Sequence, residues 1–190
     1  MNTALGFCGK IGSGKSTISK AVAKAMHWPF VSFGDHVRRV AIERGLTPLR
    51  ANLQDVGLDL IGQGWEQFCL AVLRQAKWSP GEPIVIDGIR HEMAFRTLSE
   101  LVRPATLKLV LVVTSEDERQ RRIPSLQTPD NRSPGTADSH ATEAEVGSTL
   151  ISLANLKVDG ADDVTKTAET IVRWVRSEDA APSPSQRVGG

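Results

Sequence analysis

Eight residues near the start of the 190-residue chain have the types and spacing to hold a phosphate. Gly9-Lys10-Ile11-Gly12-Ser13-Gly14-Lys15-Ser16 satisfies G-x-x-x-x-G-K-[ST], and Thr17 follows it. A backbone that closes around phosphate oxygens needs positions free to take positive φ and without a Cβ in the way, which Gly9, Gly12 and Gly14 supply. The helix expected to begin near Lys15 aims its N-terminal amides and the positive end of its dipole at the same anion. In that arrangement Lys15 reaches the β- and γ-phosphates of a nucleotide, and the Ser16 hydroxyl sits on Mg²⁺. The pattern needs a strand before it and a helix after it. The apolar run Ala4 to Cys8 and the helix-compatible run Ile18 to Met26 supply them. Cys8 reads as a small buried hydrophobe rather than a nucleophile.

The elements that must position this loop alternate between strand and helix. Phe30-Val31-Ser32 reads as a short strand, and Asp35 to Arg44 as a helix stopped by Gly45. Thr47-Pro48 looks like a cap followed by a first-turn proline, opening a helix to about Ile61. After Gly62-Gln63-Gly64, Trp65 to Ala76 resumes helical spacing, with an apolar stripe of Trp65, Phe68, Cys69, Val72 and Leu73. Pro83 to Asp87 is a continuous apolar run ending in a carboxylate, the pattern of a buried parallel strand. A helix from Glu92 to Val102, a strand from Thr106 to Val113 and a Ser115-x-x-Glu118 capping box for a helix through Arg122 follow. Residues 124–139 are rich in Pro, Ser, Thr, Asp and Gly and read as a mobile lid. Thr142-x-x-Glu145 caps a helix, Leu156 to Val158 is a weak fifth strand, and Thr165 to Arg176 is an amphipathic helix before a tail expected to be disordered.

Composition sets bounds on this reading. The length suits one α/β core. A net charge of +1, from 23 basic and 22 acidic residues, gives no electrostatic footprint for nucleic acid or a membrane surface. Two cysteines, no signal-peptide pattern at the start and no long apolar run point to a soluble, cytoplasmic protein.

Three further stretches carry a resemblance. Ser32-Phe33-Gly34-Asp35-His36-Val37-Arg38 resembles the S-T-G-D-x-x-R stretch of adenylate kinases and their nucleoside monophosphate kinase relatives. Val85-Ile86-Asp87-Gly88-Ile89-Arg90 resembles their D-G-[FY]-P-R, one residue shorter and lacking the proline. Glu118-Arg119-Gln120-Arg121-Arg122 resembles the arginine-bearing helix that leads into their lid. The form without proline is also similar to P-loop kinases akin to dephospho-coenzyme A kinases and deoxynucleoside monophosphate kinases.

The resemblance implies a three-layer α/β P-loop NTPase fold with about five parallel strands in the order 2-3-1-4-5 and helices on both faces. It implies a kinase domain over residues 1–176, with a helical acceptor-binding insert at 36–78 and a lid-like segment at 123–142, and a tail at 177–190. It implies ATP and Mg²⁺ as cofactors and a small-molecule phosphate acceptor as partner. Residues 9–17 would bind the nucleotide, Ser16 and Asp87 the metal, and Asp35, Arg38 and Arg90 the acceptor. Lys15, Asp87, Arg119 and Arg122 would be the catalytic set, the two arginines approaching the donor nucleotide or the transferring phosphoryl, with Arg132 adding charge from the lid.

Some alternatives stay open in the sequence. Asp35 reads equally as a general base for a hydroxyl acceptor and as a helix cap. His140-x-x-Glu143 lies where the lid rejoins the core and reads more readily as structural than as substrate-touching. The acceptor reads first as a (deoxy)nucleoside monophosphate and next as another nucleotide-like metabolite such as dephospho-coenzyme A. A nucleotide switch acting through a protein partner competes with both, although no N-K-x-D base-reading motif is present.

Overall fold

The computed structural model describes residues 2–122 and 149–180. The expected lid-like segment, with Arg132, His140, Glu143 and the Thr142 cap, lies outside the described residues, as does the end of the tail. In chain order the elements are β1 (Thr3–Cys8), α1 (Lys15–Met26), β2 (Phe30–Ser32), α2 (Phe33–Glu43), α3 (Arg50–Gly62), α4 (Trp65–Leu73), β3 (Ile84–Asp87), α5 (Glu92–Leu101), β4 (Thr106–Val113), α6 (Glu116–Arg122), β5 (Leu156–Asp159) and α7 (Val164–Ala180).

All five strands run parallel, in the order β2-β3-β1-β4-β5. This is the expected order. The inner strands β1 and β3 and the middle of β4 are apolar on both faces because both faces are covered, whereas the edge strand β5 alternates. Alternate residues divide between two cores. Ala4, Ile84, Ile86, Leu107, Leu109 and Leu111 point toward α2, α3, α4 and α5, where they meet Val56, Phe68, Val72 and Leu98. Leu5, Phe7, Val85, Val110 and Val112 point the other way, to Ile18 and Val22 of α1 and Ile171 and Val175 of α7. The register places the carboxyl ends of β1, β3 and β4 side by side, with Phe7 opposite Asp87 and Cys8 opposite Leu111.

Several boundaries differ from the sequence reading: α4 ends at Leu73 rather than Ala76, and three others differ for a local reason. Helix α2 begins at Phe33, not Asp35, because the Ser32 hydroxyl accepts the Asp35 amide at 3.3 Å and so caps the helix. Thr47 does not cap α3, which starts at Arg50 behind an extended Leu49 with no side-chain cap. Asn52 Nδ2 instead donates to the Thr47 carbonyl at 2.8 Å. Helix α7 runs on through residues assigned to the tail. Thr3 donates to Asp179 at 2.7 Å, and Lys108 pairs with Glu178 at 2.9 Å while lying over the Trp174 ring.

Leu109 sits in the centre of β4 with no exposed surface. Its truncation leaves a cavity that the flanking strands cannot collapse. Leu109→Ala is expected to cost about 2–5 kcal/mol, measured as a lower urea midpoint at an unchanged slope of stability on denaturant.

Candidate active site

The loop between β1 and α1 takes the backbone conformation its glycines allow. Gly12 and Gly14 have φ of 79° and 86°, and the Ser13 amide closes a turn on the Lys10 carbonyl at 3.2 Å. Gly14 is the N-cap of α1, and with no side chain it leaves the helix start open to an incoming anion. Lys15, the first helical residue, is 8% exposed, whereas Ser16 and Thr17 face solvent. A Cβ on Gly9 would lie 2.5 Å from the Val112 carbonyl oxygen, so the loop lies directly against β4. Burial pushes the neighbouring Cys8 thiol up to about 12, against a smaller pull from the Lys15 charge, which keeps it protonated and inert.

Asp87 closes β3 beside this loop and is 3% exposed. Its Oδ2 accepts from the Ser16 hydroxyl at 2.8 Å and, more weakly, from Ser32 at 3.4 Å. Its Oδ1 is buried without a hydrogen-bond partner. An oxygen left unmatched in the interior is costly unless something else satisfies it. Together with the Ser16 hydroxyl it forms an all-oxygen donor set of the kind a hard cation such as Mg²⁺ takes, largely through water. The residues present therefore fit the metal that the loop pattern implies. Ser32, absent from the sequence-based assignment, joins this carboxylate to the cap of α2.

On the β4–β5 side a cavity of about 280 Å³ opens against the loop. Gly12, Gly14, Thr17 and Ile18 line one side, and Arg122, Asp162 and Val164 the other. Arg122 is held across this wall: its Nε donates to Glu118 at 3.0 Å and its Nη1 to the Gly160 carbonyl at 2.8 Å. Arg119 lies elsewhere. Expected at the donor nucleotide or transferring phosphoryl, it is 1% exposed, with Nε donating to the Ile11 carbonyl at 2.8 Å and Nη1 to Glu116 at 2.7 Å. The structure thus brings Arg122 to the cavity and Arg119 to the outside of the loop. Two contributors were missed in the sequence. Thr114 donates to the Ser13 carbonyl at 2.9 Å, and Gly160 packs so closely on Ser13 that a Cβ would fall 1.8 Å from its carbonyl oxygen. The Asp159-Gly160 pair at the end of the fifth strand was the available turn signal.

On the β2–β3 side, Arg38 and Asp35 pair with each other at 2.8 Å, both about half exposed. With Ser32 as the cap, the capping role left open for Asp35 falls away. Arg90 is half-buried just beyond β3, and the adjacent His91 ring lies 5.0 Å from Trp65, which stacks on Phe68. His36 packs against Phe68 and accepts from Arg39 at 3.3 Å. Burial, and next the Arg39 charge, hold its imidazole below the usual 6.5, with Glu43 pulling weakly the other way. Among the described residues there is no group of three or more His, Cys, Asp or Glu side chains that could hold a metal ion, and no helix long and apolar enough to cross a membrane.

A parallel sheet in this order, a glycine-capped phosphate loop and an acidic β3 terminus define a P-loop kinase fold. The chain belongs to the AAA_18 family, described as an AAA domain, whose model matches residues 5–146. It is 37% identical over 126 residues to a UPF0200 protein of Methanothrix thermoacetophila, the match covering 63% of each chain. A cytidylate kinase of Haloarcula marismortui is 52% identical over 44 residues, 23% of each. The chain thus spans less than two thirds of the length of these relatives. Among solved structures, shikimate kinase from Aquifex aeolicus superposes with a TM-score of 0.60 at 14% identity, covering 95% of this chain and all of that one, a likeness of fold.

Two predictions follow from this geometry. Gly160→Ala drives a methyl group into the Ser13 carbonyl, so it should abolish nucleotide binding and lower the melting temperature, read by calorimetric titration and thermal denaturation. Because His36 takes up a proton less readily folded than unfolded, stability should fall as pH drops below 6.5 toward its lowered value. Urea titrations from pH 7 to 5 should show that slope, and His36→Gln should flatten it.

Proposed function

We propose that the chain is an ATP-dependent kinase that transfers the γ-phosphoryl group to a small phosphorylated acceptor, with a (deoxy)nucleoside monophosphate as the first choice. The observation that carries this reading is the Asp87 carboxylate, bonded to Ser16 on the donor loop and to Ser32 at the cap of the acceptor-side helix. One side chain thereby ties together the two halves that an in-line transfer has to align.

In this reading the loop amides and Lys15 hold the donor's phosphates, and the 280 Å³ cavity beside Arg122 takes its base and sugar. Ser16 and Asp87 would hold Mg²⁺, which supplies neutralisation of the charge that builds on the transferring group. Arg38 and Arg90 orient the acceptor phosphate, a task suited to planar guanidinium groups. Arg38 already holds a carboxylate, Asp35, in that manner. An acceptor phosphate exchanges with Asp35 for the same guanidinium. A phosphate oxygen is ionised near neutral pH and needs no general base, which fits an Asp35 engaged by an arginine. The names of the cytidylate kinase relatives support a nucleotide acceptor, and the shikimate kinase likeness makes a hydroxyl acceptor the competing case.

The test is ADP formation from Mg-ATP with a panel of ribo- and deoxyribonucleoside monophosphates, dephospho-coenzyme A and shikimate, with Lys15→Ala as the blank. One phosphorylated acceptor should raise turnover well above the blank. Arg38→Ala and Arg90→Ala should each raise the KM for that acceptor by about tenfold or more, as loss of a charge-assisted hydrogen bond implies. Turnover with shikimate alone would move the reading to a hydroxyl acceptor. ATP hydrolysis indifferent to every acceptor would sink it in favour of a switch.

A further inference from the structure

A phosphate loop works through the direction of its amides, and a peptide plane has two ends. Fixing the carbonyl fixes the N–H on the opposite side of the same plane. In this chain two loop carbonyls are taken from outside by one short stretch of chain. The Thr114 hydroxyl, immediately after β4, donates to the Ser13 carbonyl at 2.9 Å. Arg119, five residues later and among the largest fully buried side chains, donates from Nε to the Ile11 carbonyl at 2.8 Å. The peptide planes concerned carry the amides of Gly14 and Gly12, two of the three glycines at positive φ in the loop. Neither plane is restrained by a side chain of its own glycine.

Packing supplies only part of that restraint, through Gly160 against the Ser13 carbonyl. A cavity of about 110 Å³ lies beside these contacts, lined by Lys10, Ser13, Val112, Thr114, Arg119 and Ile151. The Ser13 hydroxyl, 1% exposed, has no hydrogen-bond partner. The loop is therefore not close-packed beside Ser13, and the two donors supply the rest of the restraint. Arg119 is itself oriented by Glu116, one turn earlier on α6, at 2.7 Å.

We propose that Thr114 and Arg119 are positioning residues that latch the phosphate loop from behind, setting its amides for the nucleotide's phosphates before any nucleotide arrives. Arg119 then acts on the bound ground state through Ile11, and its guanidinium makes no contact with the transferring phosphoryl. The inference rests on the loop's taking nucleotide phosphates.

The experiment is calorimetric titration of ADP without metal into the wild type, Thr114→Val, Arg119→Ala and Arg119→Lys, with circular dichroism to establish folding. ADP lacks the γ-phosphoryl, so a residue that touches only the transferring group leaves its affinity unchanged. Thr114→Val, nearly isosteric, should weaken ADP about threefold to tenfold, and Arg119→Ala about tenfold or more, as loss of a neutral and a charged hydrogen bond imply. Arg119→Lys, or guanidinium ion added to Arg119→Ala, should recover part of the loss. If Arg119→Ala does not fold, Thr114→Val decides alone. Unchanged ADP affinity in folded Thr114→Val overturns the latch. Arg119→Ala with native ADP affinity but a lost ADP–aluminium fluoride complex also overturns it and makes Arg119 a contact of the transferring group. A wild type that binds neither ADP nor ATP overturns the kinase reading and the latch together, which separates that failure from the others.

Discussion

Binding an anion with backbone amides imposes a constraint that side-chain sites avoid: the main chain must keep a conformation with no side chain of its own to hold it there. Everything near residues 9–17 answers to that constraint. Glycines make the conformation accessible, but they also widen the range of alternatives open to the unfolded chain. The restraint comes from outside, through Val112 and Thr114 at the end of β4, Gly160 after β5 and Arg119 on α6. The central position of β1 makes these contacts available, since β3 flanks it through Asp87 and β4 through Leu111, with Val112 and Val113 running on beyond it.

The same placement sorts the chemistry into two sides. Toward β3 and β2 stand the carboxylate, Arg38 and Arg90 and the helices α2 to α4. Toward β4 and β5 stand Arg122 and the larger cavity. Asp87 joins the β3 side to the loop through Ser16 at 2.8 Å and reaches the cap of α2 at Ser32 more loosely, at 3.4 Å.

Much of this was legible in the residue order. The loop pattern named its own strand and helix, and the strand from Thr106 to Val113 was read to the residue because apolar β-formers fill it without interruption. The start of α2 was missed because Ser32 closes a strand and caps a helix at once, and a strand-to-helix junction with no loop leaves no turn residues to read. The end of α7 was missed because Ser177, Glu178, Asp179 and Ala180 look like a polar tail until Lys108 and Thr3, far away in sequence, provide their partners. Arg119 and Arg122 lie three residues apart, yet only tertiary packing decides which one lies beneath the loop and which one lines the cavity. Thr114 and Gly160 act through backbone oxygens, a role that residue type alone does not announce.

Helix α7 carries a consequence for how the molecule comes into being. Its Ala168, Ile171 and Val175 cover the apolar stripe of α1 formed by Ile18 and Val22. During synthesis the phosphate loop and its helix emerge before this cover does. Until α7 is made, Ile18 and Val22 of α1 have only sheet residues such as Leu5 and Phe7 to bury them, and the wall at Gly160 and Val164 does not yet exist. The nascent chain holds a legible nucleotide motif before it holds a nucleotide site, and in that interval its half-covered apolar face is open to aggregation.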